Sequence, residues 1–153
     1  MRLICITWMA RLAAACAIGL MAHLPGAWAA SEHETLAAGS WYGEVPATAD
    51  QPLQRFMTQR QPDGTFTLLT RLYQNGRAVS ELRNAGLWGV SNGLYFTITT
   101  EINGKRTETR TTELSNAYLI RSLTAEAFEY QHIASGRMFR VKRVDPAITR
   151  LPD

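Results

Sequence analysis

The spacing of turn dipeptides constrains this chain more than any other feature. Asp63-Gly64, Asn75-Gly76, Asn92-Gly93, Asn103-Gly104 and Ser135-Gly136 recur between segments rich in Thr, Tyr, Phe, Val, Ile and Leu. Asn-Gly and Asp-Gly supply the left-handed backbone that tight hairpins require, so each dipeptide joins two antiparallel neighbours. The intervening segments, such as Thr65 to Tyr73 and Leu94 to Thr100, are rich in β-branched and aromatic residues and carry no helical period. Strands are expected over 39–45, 53–60, 65–74, 77–90, 94–102, 105–113, 117–123, 127–134 and 137–144. The fold class is all-β, an up-and-down antiparallel meander. An open meander of this length leaves unpaired edges, and closure into a roughly eight-stranded barrel removes them.

Turn geometry predicts which side chains share a face. A two-residue Asn75-Gly76 turn places Leu72 opposite Val79, and Asn103-Gly104 places Glu101 opposite Arg106. Around Ser135-Gly136 the same rule pairs His132 with Phe139 and Tyr130 with Val141. At Asn92-Gly93 a three-residue loop, 91–93, is preferred because it pairs Trp88 with Phe96 and Val90 with Leu94. The expected inward set is Trp41, Phe56, Phe66, Leu68, Leu72, Val79, Trp88, Phe96, Ile98, Tyr118, Ile120, Phe128, Tyr130, Phe139 and Val141. So many bulky inward residues leave an eight-stranded barrel a small cavity at most.

The N-terminus reads as an export signal. Arg2 and Arg11 precede an apolar run from Leu12 to Leu24, Pro25-Gly26 breaks it, and Ala27 and Ala29 fit a small-x-small cleavage pattern. Residues 1–29 are the expected signal peptide, and 30–153 a single β-barrel domain with a loose C-terminal tail over 144–153. The apolar run is too short for a membrane span of about 20 residues, so no stable span is expected after processing. Localisation is expected to be periplasmic or secreted. Cleavage removes both cysteines, Cys5 and Cys16, so no disulfide staples the mature domain. Stability rests on a core, which a domain of roughly 120 residues can supply by burying about two-thirds of its surface. The formal net charge of +3 includes Arg2 and Arg11, leaving +1 for the mature domain. Nucleic-acid binding is therefore not expected.

Gly39-Ser40-Trp41 at the start of the first strand, with Arg143 in the last strand, resembles the lipocalin-like (calycin-type) β-barrels. Small bacterial domains of that kind, with an Asp-Gly-Thr-Phe hairpin (here Asp63 to Phe66) and a second Gly-x-Trp (here Gly86-Leu87-Trp88), look closest. The resemblance implies that Gly39, Trp41 and Arg143 close the barrel bottom, the guanidinium stacking on the indole by a cation–π contact. It also implies that Pro46 to Pro52 forms a lid over the cavity mouth.

No residue set commits the chain to a reaction. His33 and His132 are the only histidines beyond the leader and no cysteine accompanies them, so a zinc site lacks ligands, and neither a catalytic residue nor a cofactor is expected. The expectation is an exported, non-enzymatic protein that holds a small, mostly apolar ligand among Trp88, Phe96, Tyr118, Phe128, Tyr130 and His132. The alternative is a filled barrel acting on a protein partner through its surface, in the manner of exported protease inhibitors. Residues 30–38 would then be the segment inserted into the target.

Overall fold

The computed structural model describes residues 32–107 and 114–151. A six-residue helix, α1 (Glu32–Ala37), leads into β1 (Gly39–Val45), β2 (Leu53–Arg60), β3 (Thr65–Gln74), β4 (Arg77–Ser91), β5 (Leu94–Ile102), β6 (Lys105–Arg106), β7 (Ser115–Leu123), β8 (Ala127–His132) and β9 (Met138–Arg143). Consecutive strands from β1 to β5 and from β7 to β9 pair antiparallel, β9 returns to β1, and β5 pairs with both β4 and β7. Eight strands thus close a barrel, and the two-residue β6 extends the far end of β5 as a hairpin. Of the strand expected over 105–113, only Lys105 and Arg106 are in strand, and 108–113 lie outside the described residues. The segment expected to be a signal peptide, 1–29, lies outside them as well.

The Asn-Gly turns fix the register locally. Asn75, Asn92 and Asn103 take φ near +50°, and Gly76, Gly93 and Gly104 follow near +75°. Two consecutive left-handed residues make the two-residue turn whose twist matches that of the flanking strands. Asn103-Gly104 accordingly sets Glu101 opposite Arg106. Asn92-Gly93 does the same, pairing Ser91 with Leu94, so the three-residue loop expected over 91–93 is corrected to two. A one-residue slip inverts every side chain of a strand. Trp88 consequently sits opposite Thr97, while Phe96 lies across from Gly89 on the outside, its ring filling the space a Cβ there would need. Phe96 and Ile98 are 37% and 42% exposed rather than inward, and Tyr95, Thr97 and Thr99 are the buried residues of β5.

Two further registers differ from expectation. A bulge between Leu72 and Tyr73 sets Leu72 opposite Ser80, and Val79 is 57% exposed. The β8–β9 loop is longer than two residues, closed by His132 N–H to Arg137 O and Gly136 N–H to His132 O, so Tyr130 faces Phe139 and Phe128 faces Val141. That shift is even, which keeps the expected aromatic set on one face.

The main core gathers Ala37, Trp41, Phe56, Phe66, Trp88, Tyr95, Phe128, Tyr130 and Val141 inside the barrel. A second cluster lies on the outer wall, where Leu151, only 3% exposed, packs with Met57 and Leu69. The segment expected as a loose tail from 144 is therefore anchored against the barrel as far as Leu151.

Candidate functional site

One end of the barrel is sealed by a plug. Trp41 is fully buried and its indole N–H donates to Ala37 O at 2.9 Å, which seats the end of α1 across the opening. Arg143 covers the outer face of the indole, its guanidinium carbon 4.3 Å from the ring centroid, and donates to Ala38 O at 2.8 Å and to Leu36 O and Ala125 O. Gly39 permits this approach. Its φ of +111° is unsuited to an L side chain, and a Cβ there would stand 2.3 Å from Arg143 Nη1. Residues 32–38 thus serve as a plug, which takes them out of the projecting, target-inserting role considered above.

Beneath the plug lies a residue that the sequence reading passed over. Arg60, the last residue of β2, is 1% exposed. Its Nε donates to Tyr95 Oη at 3.1 Å and its Nη1 to Ala37 O at 3.3 Å, while among the described residues the buried Nη2 has no hydrogen-bond partner. The guanidinium lies 4.6 Å from the Tyr95 ring centroid, 5.1 Å from Phe128, 5.8 Å from Trp41 and 5.9 Å from Tyr130. An arginine after Thr58 and Phe56 continues the inward alternation of β2, which was the available signal.

Further along the barrel axis the side chains stop short of filling the interior. A cavity of about 180 Å³ remains, lined by four threonines (Thr58, Thr70, Thr97, Thr99), three amides (Gln54, Asn84, Asn116), three phenols (Tyr95, Tyr118, Tyr130) and Phe56, Phe66, Leu68 and Phe139. None of the described lining side chains is ionised at neutral pH. Burial pushes the Tyr118 phenol up to about 12 and raises that of Tyr130 further, so both remain hydrogen-bond donors at any physiological pH. Asn84 Oδ1 is buried with no hydrogen-bond partner among the described residues. A buried acceptor left unpaired costs about 1–3 kcal/mol, which a donor entering the cavity would relieve.

Of the six residues expected to hold a ligand, Tyr118 and Tyr130 line this cavity. Phe128 is part of the plug, in edge contact with Trp41 at 5.9 Å. Trp88 is buried but donates its indole N–H to Gln61 O at 2.9 Å, where it fastens the β2–β3 turn. Phe96 is on the outer surface. His132 sits beside Tyr118 at 5.2 Å, and its Nδ1 is 2.8 Å from Ser135 Oγ in the adjoining loop, a contact that orders the loop. The Pro46 to Pro52 loop meets the β8–β9 hairpin through Arg137 Nη2 and Gln51 Oε1 at 2.8 Å. Sequence reasoning missed the threonines of β5 because it had placed Phe96 and Ile98 on that face.

No family model and no curated protein matches the chain. Among solved structures, a lipocalin-like protein from Bacteroides uniformis superposes with a TM-score of 0.46 at 13% sequence identity, over 71% of this chain and 99% of that one.

Proposed function

We propose that this chain is an exported binding protein that holds one small molecule inside its barrel. The observation that carries the reading is the cavity of about 180 Å³, walled by hydroxyls, amides and aromatic rings and containing the unpartnered Asn84 Oδ1. A cavity of about 150 Å³ is enough to hold a molecule the size of benzene, so the ligand is compact. The walls favour a molecule with an apolar body to meet Phe56, Phe66 and Phe139 and at least one hydrogen-bonding group, rather than the mostly apolar ligand expected from sequence. Export rests on the leader over 1–29.

Native mass spectrometry of the mature protein, purified from the cell envelope without detergent, tests this reading. The expected result is a reproducible small adduct that is lost on unfolding. An apo mass that stays unchanged when the protein is incubated with an extract of its own culture would refute it.

A second reading, recognition of a protein partner, is supported by Leu87, Leu94, Phe96, Ile98 and Leu119, which stand exposed on the adjoining strands β4, β5 and β7. Exposed apolar side chains grouped in this way are characteristic of interaction surfaces.

A further inference from the structure

Arg60 raises a physical question that the plug does not answer. Moving a guanidinium out of water is costly, and buried charges are ordinarily paired with a carboxylate. Among the described residues no acidic side chain forms an ion pair with Arg60, whose hydrogen bonds go to a phenol and a backbone carbonyl. The described salt bridges, Arg55 with Glu44, Glu81 with Arg71 and Arg83, and Arg140 with Glu129, involve outward side chains. Arg143 at the rim adds a second positive charge at the same end. Sealing the indole, filling the plug and holding Ala37 could be done by an uncharged side chain of similar length. The rings of Trp41, Tyr95, Phe128 and Tyr130 stabilise the cation in part, and the Tyr130 phenol interacts with it, but among the described residues Nη2 has no hydrogen bond of ordinary length.

The interior beyond Arg60 is arranged so that its charge is felt and not neutralised. Among the described residues, the cavity wall contains no ionised group. Tyr95 belongs to both regions: it accepts a hydrogen bond from Arg60 Nε and it lines the cavity. Because its oxygen is engaged as an acceptor of a charged donor, its own proton is polarised and available to a further acceptor. Tyr130, whose ring is 5.9 Å from the same guanidinium, lines the cavity beside it.

We propose that the cavity selects small carboxylates over neutral molecules of the same shape, with the buried charge of Arg60 relayed to the ligand through the Tyr95 hydroxyl. This rests on the ligand-binding reading above and specifies its ligand class. The carboxylate accepts from the phenols of Tyr95 and Tyr130 at the inner end. Its apolar body lies between Phe56 and Phe139. The ligand supplies the negative charge that the fold omits.

Titration calorimetry of the full mature chain with matched pairs tests the proposal: butyrate, hexanoate, benzoate and 3-phenylpropanoate, each against its primary amide. The expected result is that at least one carboxylate binds more tightly than its amide by roughly tenfold or more, since attraction between unit charges is large where water is excluded. Tyr95→Phe, which leaves Arg60 and the plug in place, and Arg60→Met are both expected to bring that ratio close to one. Arg60→Lys retains part of it. Equal affinity for acid and amide in the parent protein, or a ratio that survives both Tyr95→Phe and Arg60→Met, overturns anion selection and leaves the binding reading intact. Failure of every acid and amide to bind overturns both.

Discussion

Replacing Arg143 with alanine removes the outer half of the plug, and the structure sets the size of the effect. Three hydrogen bonds are lost, to Leu36, Ala38 and Ala125 carbonyls, together with the stacking on Trp41 at 4.3 Å. At the partly exposed rim water can replace some of each contact, so about 0.5–1 kcal/mol per hydrogen bond is appropriate. The exposed cation–π contact adds about 0.5–1 kcal/mol. Burial, together with repulsion from Arg60, lowers the Arg143 pKa, and relief of both offsets part of the loss. The net expectation is destabilisation by about 2–3 kcal/mol, or roughly 10 °C in Tm for a domain of this size. Urea unfolding followed by tryptophan fluorescence measures it. Hydrogen exchange at Ala38, whose N–H bonds to Glu34 O at 3.0 Å, should accelerate more than exchange in β3. Arg140→Ala, which removes an exposed partner of Glu129, serves as the control and should cost under about 0.5 kcal/mol. A loss for Arg143→Ala no larger than that of the control would refute the view that this guanidinium holds the plug.

Three other expectations follow from the same structure. Gly86→Ala should destabilise by about 2 kcal/mol or more, because the new Cβ would lie 1.9 Å from the Ile98 carbonyl oxygen and the β4–β5 backbones must separate, whereas Val79→Ala, at an exposed site, should stay within about 0.5 kcal/mol; urea midpoints compare them. Phe128→Ala, at a fully buried position, should cost about 3–5 kcal/mol, and Phe96→Ala much less; the reverse order in thermal denaturation would mean that β5 has the opposite face inward. Stability should fall at both pH extremes. Thr65 hydrogen bonds hold the Asp63 carboxyl below 3.8, and Arg71, with Arg83, holds Glu81 below 4.5, so their contributions are present above those values and are lost as pH falls through the lowered folded values. Burial raises Tyr118 to about 12, so its contribution is present below pH 10 and lost between 10 and about 12; urea midpoints across pH should decline on both sides, and Asp63→Asn with Glu81→Gln should flatten the acid limb.

The candidate site was only half legible in the sequence, for reasons that particular residues make plain. Tyr118 and Tyr130 were found because even-numbered register shifts preserve a face, so an error of two residues at the β8–β9 loop did no harm. Thr97 and Thr99 were missed because a single residue in the length of the Asn92-Gly93 loop decides which half of β5 points inward, and a hydrophobicity argument favoured Phe96 and Ile98. Gly89 held the correction: a glycine opposite Phe96 gives that ring somewhere to lie on the outer surface. Arg60 was passed over because an arginine at a strand end resembles the solvated arginines elsewhere in the chain. Only the meeting of Trp41 from β1, Tyr95 from β5 and Phe128 and Tyr130 from β8 shows it to be enclosed.

What the sequence by itself determined is everything governed by neighbours along the chain. Turn dipeptides with left-handed backbone placed the hairpins, β-branched and aromatic segments placed the strands, and the number of strands required closure. These are short-range effects, and a few residues contain all the information they need. The tertiary structure alone decided what depends on residues far apart in sequence: the seating of Ala37 under Trp41, the anchoring of Leu151 on Met57 and Leu69, the burial of Arg60 and the space left between Phe56, Tyr118 and Phe139. A cavity is what remains after all eight strands have taken their register and twist, and no local pattern encodes a remainder.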